Sequence, residues 1–207
     1  MMMNSKIPVL YKIGKFILGP IFKLYYNPKI INKEYIPENG PIIIAGNHKH
    51  LYDQCLTIIA TKRGIHYMAK KEYFTDKKTA WFFKGTGCIS VNRNEKDSKA
   101  KELAISVLKD KGAIGIFPEG TRNKTSKLLL PFKFGTVSMA KKTDAYIVPF
   151  GITGDYKFRS KNLTIRYGKP FKVTKLDLEE ANNILYDKVK TLIEENLVTD
   201  ILNNKKD

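Results

Sequence analysis

The chain of 207 residues is long enough for one domain with its own core, and 43% of its residues are hydrophobic, as in an ordinary globular protein. Its 37 Lys and Arg against 20 Asp and Glu give a formal net charge of +17, which favours a polyanionic partner such as nucleic acid, an anionic membrane or a phosphorylated substrate. The two cysteines, Cys55 and Cys88, are too few for a disulfide framework and lack metal-site spacing, so we expect a protein of the reducing cytoplasmic side.

Residues 1–35 form an N-terminal segment in which apolar residues recur at helical spacing and lysines interrupt them. The longest uncharged run, Phe16 to Phe22, is far below the roughly 20 residues that are needed to cross a bilayer. A lysine-bearing amphipathic helix can instead lie in the interface of an anionic membrane. Two interpretations stay open here: a membrane-interface segment, or a helix that packs on the domain's own core with a kink at Pro20.

Residues 36–207 alternate short β-rich runs with helical patterns. The predicted strands are 41–47, 65–71, 88–93, 113–117, 145–153 and 163–170. The predicted helices are 53–63, 78–85, 98–110 with Ser98 as candidate N-cap, 135–143 and 177–202. The repeated strand–helix units predict a single α/β domain with a mostly parallel central sheet flanked by helices, and ligands of such sheets bind beyond the carboxyl ends of the strands.

A turn that carries His48 connects the predicted strand 41–47 with the helix that begins near Asp53. Residues five apart on a continuous helix point in different directions, so the two side chains can meet only because a turn lies between them. Asp53 could then accept a hydrogen bond from one imidazole nitrogen and leave the other nitrogen basic. No Gly-x-Ser-x-Gly elbow supplies a serine, so the nucleophile would be the hydroxyl of the substrate.

Other interpretations of this stretch stay open. Asp53 could cap its helix while His48 is an ordinary polar turn residue. A metal could bind to His48, His50 and Asp53, although no further ligand is evident in this lysine-rich stretch, and we expect no metal. Cys55 could be an acylated nucleophile, but its place in the apolar helical pattern favours a core residue.

Charged side chains also follow three other predicted strands. Two arginines, a lysine and the backbone N–H groups of a glycine suit a phosphate group, because a guanidinium binds phosphate in a bidentate manner. The single acid of this set, Glu119, either pairs with a base such as Arg122 or binds a substrate hydroxyl. The candidate binding residues are Lys70, Arg93, Glu119, Gly120, Thr121 and Arg122.

Four stretches of the chain resemble the four motif blocks of the glycerolipid acyltransferase family, and they occur in the family's order. They are His48-x4-Asp53 within NHKHLYD, Gly87-x5-Arg93, FPEGTR at 117–122 and IVPFGI at 147–152. The bacterial 1-acylglycerol-3-phosphate acyltransferases are the most similar branch. The chain departs from the family pattern at His50, where serine is frequent, and at Gln54, where proline is frequent.

The resemblance implies an α/β enzyme of phospholipid biosynthesis that moves a fatty acyl group from acyl-CoA or acyl-carrier protein to the sn-2 hydroxyl of lysophosphatidate, with no cofactor. It implies that His48 is the general base and Asp53 its orienting carboxylate. It also implies that Arg93 and residues 117–122 bind the glycerol phosphate of the acceptor, and that the block around Pro149 shapes the site or contacts the acyl chain. Residues 36–207 would then be the acyltransferase domain.

The expected partners are therefore a lysophospholipid, an acyl thioester and the anionic surface of the cell membrane, with peripheral or monotopic attachment at its cytoplasmic face. Nucleic acid is not expected as a partner, because the lysines are scattered and no recognition motif occurs. Three alternatives remain: an acyltransferase for another lipid acceptor, a basic nucleic-acid-binding protein, and a lipid-binding protein without catalysis.

Overall fold

The computed structural model describes residues 3–92 and 97–204. In this part of the chain a seven-stranded sheet has the order β1-β7-β6-β2-β5-β3-β4. Its strands are β1 (Lys29–Ile31), β2 (Ile42–Gly46), β3 (His66–Lys70), β4 (Ile89–Val91), β5 (Ala113–Ile116), β6 (Tyr146–Thr153) and β7 (Thr164–Tyr167). The α-helices are α1 (Val9–Tyr26), α2 (Asp53–Ala60), α3 (Glu72–Thr75), α4 (Ala80–Gly85), α5 (Ser98–Lys109), α6 (Gly135–Thr143) and α7 (Leu178–Asn204), and a short 3-10 helix spans Lys33–Tyr35.

The central strand β2 lies between β5 and β6, and all five of its residues are buried. Successive side chains of a strand point to opposite faces of the sheet. Ile43 and Ala45 accordingly pack with α5, α6 and α7, whereas Ile42 and Ile44 pack with Leu56 of α2. Because helices cover both faces, the strand needs a continuous apolar run rather than an alternating one.

The prediction of a single α/β domain with a mostly parallel sheet flanked by helices is confirmed. The last strand differs, because β7 pairs antiparallel with β6. The connection between them, residues 154–163, contains no helix, and a parallel pair would need a longer crossover. Strand β1 was not predicted; three residues from the proposed membrane-interface segment 1–35 pair parallel with β7 and so belong to the sheet.

The predicted N-cap of α5 is wrong by one residue. Asp97 occupies the cap position, and one of its carboxylate oxygens accepts a hydrogen bond from the N–H of Ala100 at 2.9 Å. The other oxygen accepts from the N–H of Asn92 at 2.8 Å. These bonds lower the pKa of Asp97, since they stabilise its charged form.

Helix α1 turns most of its apolar side chains outward, and only Tyr11 is buried. An α-helix turns about 100° per residue, so Val9, Ile13, Ile17 and Leu24 share one side with Phe16, which is 82% exposed. The helix continues through Pro20 without interruption and ends at Tyr26. Among the residues that the structure describes, no helix is long and apolar enough to cross a membrane.

Candidate active site

His48 and Asp53 meet at the carboxyl end of β2. The Nδ1 atom of His48 lies 2.8 Å from Oδ2 of Asp53, and a carboxylate can only accept, so Nδ1 carries the hydrogen. The Nε2 atom has no hydrogen-bond partner within the described part of the chain, and the imidazole is 13% exposed. Nε2 therefore keeps a lone pair that is free to take a proton, as a general base requires.

Asp53 is fully buried, and both of its oxygens are occupied. Besides His48, Oδ2 accepts the N–H of Lys49 at 2.7 Å and the N–H of His50 at 2.8 Å. Oδ1 accepts the hydroxyl of Tyr156 at 2.6 Å. The N-cap residue of α2 is Tyr52, so the carboxylate of Asp53 closes the preceding turn and does not cap the helix.

The His48 residue is fastened to the loop that follows β5. Its N–H donates to Oε1 of Glu119 at 2.7 Å, and its carbonyl accepts the N–H of Asn123 at 2.6 Å. The imidazole stacks on the ring of Phe117, with centroids 4.0 Å apart and planes inclined by 11°. Loop 117–123, which contains the FPEGTR motif, is therefore held at a fixed position relative to the candidate base.

In the structure both carboxylate oxygens of Glu119 bind backbone N–H groups, and its role toward a substrate hydroxyl stays a prediction. Its side chain is buried, one oxygen accepts the N–H of His48, and the other accepts the N–H of Leu130 at 2.9 Å. It forms no ion pair with Arg122 among the described residues. Burial raises the pKa of Glu119, while the two backbone bonds oppose that shift. Glu119 thus joins the His48 turn to the loop before α6.

The exposed Arg122 lies three residues after Glu119, and no carboxylate of the described residues pairs with it. Gly120 has φ +72, a left-handed conformation that favours glycine, and a Cβ there would lie 2.9 Å from Cε of Lys133. The N–H of Lys133 also donates to the carbonyl of Pro118 at 2.9 Å. Lys133 therefore brings a second cation to the loop of Arg122.

The other candidate binding residues differ in their surroundings. Thr121 is exposed in the same loop as Arg122. Lys70 ends β3, and its ammonium lies 2.8 Å from a carboxylate oxygen of Glu72. Arg93 lies outside the described residues. The structure thus brings His48, Asp53 and residues 119–122 together, while Lys70 is held by a surface ion pair.

The alternative chemistries find little support at this site. Burial raises the pKa of Cys55 to about 11, and the nearby Asp53 carboxylate adds to that shift, so its thiol stays protonated. No group of three or more His, Cys, Asp or Glu side chains suitable for a metal occurs among the described residues. The expectation that no cofactor takes part stays a prediction.

Sequence reasoning missed two residues that position this site. Asn47 is buried, and its side chain makes hydrogen bonds of 2.7 and 2.9 Å with the backbone N–H and carbonyl of Ile152, which fasten the start of the His48 turn to β6. Tyr156 comes from the loop after β6. The rule that ligands gather at the carboxyl ends of parallel strands could have directed attention to that loop as well.

Comparison with known proteins gives a consistent set of matches. A family model described as Acyltransferase matches residues 27–153, which is more than half of the chain. A 1-acyl-sn-glycerol-3-phosphate acyltransferase of Bacillus subtilis (strain 168) is 31% identical over 166 residues, or 78% of this chain and 82% of that relative. One of Borreliella burgdorferi is 32% identical over 141 residues; this alignment covers 67% of the chain and only 56% of that relative.

A solved structure has the same architecture. The crystal structure of the 1-acyl-sn-glycerophosphate (LPA) acyltransferase PlsC from Thermotoga maritima matches with a TM-score of 0.74 and 26% sequence identity. The match covers 90% of this chain and 79% of that chain. The residues that the family model matches include β2, the His48 turn and loop 117–123.

Proposed function

This chain belongs to the acyltransferase family, and we propose that it transfers a fatty acyl group from acyl-CoA or acyl-carrier protein to the sn-2 hydroxyl of lysophosphatidate, giving phosphatidate for phospholipid biosynthesis. The observation that carries the proposal is the pair of His48 and Asp53. Nδ1 of His48 donates a hydrogen bond to the buried carboxylate of Asp53, and Nε2 of His48 keeps a free lone pair. The names of the relatives support lysophosphatidate as the acceptor.

In the proposed reaction, Nε2 of His48 takes the proton of the acceptor hydroxyl as its oxygen attacks the thioester carbonyl. The imidazolium that forms lies 2.8 Å from the carboxylate of Asp53, whose charge stabilises it. The tetrahedral intermediate then collapses, the carbon–sulfur bond breaks, and the leaving thiolate takes the proton from His48. The products are the new ester and the free thiol.

The acceptor phosphate would bind at the exposed guanidinium of Arg122, with Lys133 beside it and Arg93, Lys70 and Thr121 as further candidates. Because loop 117–123 is bonded to both backbone groups of His48, a phosphate held there places the glycerol hydroxyl at a defined distance from the base. Binding of the phosphate would then hold the hydroxyl close to the base and so raise the rate of the reaction.

A substitution pair tests the phosphate site. Removing a guanidinium that makes charged hydrogen bonds to a phosphate should raise the acceptor KM roughly 10-fold or more, so we expect this for Arg122→Ala. Lys124→Ala removes an exposed charge two residues after Arg122, directly beyond loop 117–123, and serves as the control. If the acceptor KM is equal in the two variants, the assignment of Arg122 to the phosphate site is wrong.

The reaction itself is tested with purified protein, lysophosphatidate in anionic vesicles, and acyl-CoA or acyl-carrier protein in separate assays. Thiol release and phosphatidate formation are followed together, because hydrolysis of the thioester would release thiol alone. His48→Ala should lower turnover by at least ~10². Product formation that survives His48→Ala would refute the base assignment, and no phosphatidate with either donor would refute the acceptor or donor assignment. The charge of +17 suits both acidic donors.

We further propose that α1 holds the protein on the cytoplasmic face of the membrane as a peripheral protein. The outward side of α1 is apolar, with Phe16 82% and Leu24 75% exposed, whereas a helix on a water-exposed surface normally turns its polar side outward. Lys12 and Lys23 flank this stripe and suit anionic headgroups. Full burial of each such side chain contributes about 1.5–3 kcal/mol.

Vesicle flotation tests the membrane role. The double variant Phe16→Glu and Leu24→Glu should lose binding to anionic vesicles and keep its fold, since both side chains are exposed. Val198→Glu and Ile201→Glu place the same charges on exposed apolar positions of α7 and serve as the matched control. Undiminished flotation of the α1 variant, or equal loss in both variants, would refute a specific role of α1. Deleting residues 1–30 would be a poorer test, because it would remove most of β1.

A further inference from the structure

Tyr156 lies at the centre of the site, although neither its position in the sequence nor the family match marks it. It follows β6 in the loop that leads to β7, and it lies beyond residues 27–153 that the family model matches. Its hydroxyl donates to Oδ1 of Asp53 at 2.6 Å, and within the described chain this is the hydrogen bond that Oδ1 receives. The three other bonds to the carboxylate all go to Oδ2.

Toward the ionised carboxylate of Asp53, the hydroxyl of Tyr156 can only donate. Burial and the neighbouring carboxylate of Asp53 both raise the pKa of Tyr156, so its proton stays in place at neutral pH. Rotation of the Asp53 carboxylate about its Cβ–Cγ bond moves both oxygens, and of the two only Oδ2 is held by backbone N–H groups of the described residues. The bond from Tyr156 holds the second oxygen, Oδ1, and so adds to the restraint on this rotation. It also draws electron density away from the oxygen that faces His48.

We propose that Tyr156 is a positioning residue: its hydroxyl fixes the orientation of the Asp53 carboxylate and limits its pull on the proton of His48, and thereby sets both the rate and the pH dependence of acyl transfer. This inference rests on the proposed function of the same site. Tyr156 acts through Asp53, which in turn contacts the candidate base.

The ring of Tyr156 is itself held from several sides, which a positioning role requires. It stacks on the imidazole of His50 with centroids 4.2 Å apart and planes inclined by 19°. The ring of Tyr26, the last residue of α1, approaches it at 5.7 Å, and the ring of Tyr52 at 6.3 Å. The ring therefore has little freedom to turn its hydroxyl away from Asp53.

Several titratable groups lie around His48 and Asp53, and each of them can affect the pH dependence of the reaction. Asp53 of α2 and Glu119 of loop 117–123 contact His48 directly, the latter through the backbone. The N–H of His50 binds Oδ2 of Asp53, the oxygen that His48 also contacts, and the hydroxyl of Tyr156 binds Oδ1. Because His50 is a second imidazole close to the site, the kinetic pH dependence needs a measurement that resolves the histidines individually.

The variant Tyr156→Phe keeps the ring and removes the hydroxyl. We expect kcat to fall roughly 10- to 100-fold, as for loss of one hydrogen bond to a charged group, while the acceptor KM stays unchanged. Without the Tyr156 hydroxyl, the Asp53 carboxylate attracts the imidazolium proton of His48 more strongly. The acid limb of the kcat–pH profile, where activity falls as the base becomes protonated, should therefore move to higher pH. The NMR titration midpoint of His48 should move in the same direction. Tyr146→Phe, which removes the hydroxyl of an exposed tyrosine at the start of β6, the strand end opposite the site, is the control and should change neither quantity.

The outcomes are distinguishable from those of the proposed function. Wild-type kcat and an unmoved acid limb in Tyr156→Phe would overturn the inference. A fall in kcat with an unmoved acid limb, and with a matching fall in melting temperature, would also overturn it, because it would indicate a packing role only. If the wild-type protein transfers no acyl group, the proposed function fails. The NMR midpoint of His48, which needs no substrate, then still decides whether Tyr156 governs the pair.

Discussion

Replacing Asp53 by Asn separates the charge of this side chain from its hydrogen bonds. An amide oxygen can accept the three bonds that Oδ2 now accepts from His48, Lys49 and His50. The amide NH2 can then donate to the hydroxyl oxygen of Tyr156, which can accept as well as donate. The variant therefore keeps the turn and loses the negative charge beside His48.

The expected loss of rate follows from the charge that His48 acquires during proton transfer. Two unit charges about 4 Å apart interact by about 4 kcal/mol at an effective dielectric constant near 20. A neutral hydrogen bond in the same place retains about 1 kcal/mol. The difference of about 3 kcal/mol corresponds to a fall in kcat on the order of 10². The acid limb should move to lower pH, opposite to Tyr156→Phe, because the imidazole loses the carboxylate that favours its protonated form.

Steady-state kinetics on anionic vesicles from about pH 5 to 9, together with thermal melts, measures these effects. Asp53→Ala is the comparison, because it leaves four donors without their acceptor, each at a cost of about 1–3 kcal/mol. It should lower the melting temperature strongly, whereas Asp53→Asn should melt close to wild type. Wild-type kcat in Asp53→Asn, or an acid limb that moves upward, would refute the electrostatic role of Asp53.

Three predictions concern stability and are checked by thermal melts. Gly46→Ala should prevent folding, because its Cβ would lie 2.2 Å from the carbonyl oxygen of Phe150. Gly135→Ala is the comparison: a Cβ at the start of α6 meets no neighbouring atom of the described residues, so the free energy of unfolding should stay the same or rise by up to about 1 kcal/mol. Glu119→Gln should cost about 1–3 kcal/mol, since an amide oxygen can replace only one of the two acceptors; wild-type stability would contradict this. Asp97→Ala should lower the melting temperature by about 2–4 °C at neutral pH. The lowered pKa of Asp97 means that its contribution is present above about pH 4 and is lost as pH falls further, so the advantage over Asp97→Asn should shrink in acid.

The centre of the fold could be predicted because its residues satisfy local rules. A short, β-branched apolar run such as PIIIAG predicts a strand covered on both faces. An Asp five residues after a His can reach it only if a turn lies between them. The direction of β7 was harder, because a strand pattern carries no sign of parallel or antiparallel pairing. Strand β1 is only three residues long, which is too short for a periodic signal.

The partners of individual polar side chains could not be predicted, since they depend on which loops converge. Glu119 accepts backbone N–H groups from residues 71 positions before it and 11 positions after it. Tyr156 reaches Asp53 across 103 positions. A sequence pattern of short period contains no information about such contacts. It is the parallel sheet, which places successive strand ends at one edge, that makes them possible.

The end of α1 connects the proposed membrane surface with the chemistry. Tyr26 contacts the rings of Tyr52 and Tyr156, and the hydroxyl of Tyr156 contacts the carboxylate of Asp53. The aromatic side chains of Tyr26, Tyr52 and Tyr156 therefore lie between the end of α1 and the carboxylate of Asp53. Aromatic rings with polar tips are stable at headgroup depth. With α1 in the interface, the acceptor hydroxyl and phosphate would reach His48 and Arg122 while the acyl chain of the acceptor stays in the bilayer, so the reaction would not require its complete extraction into water.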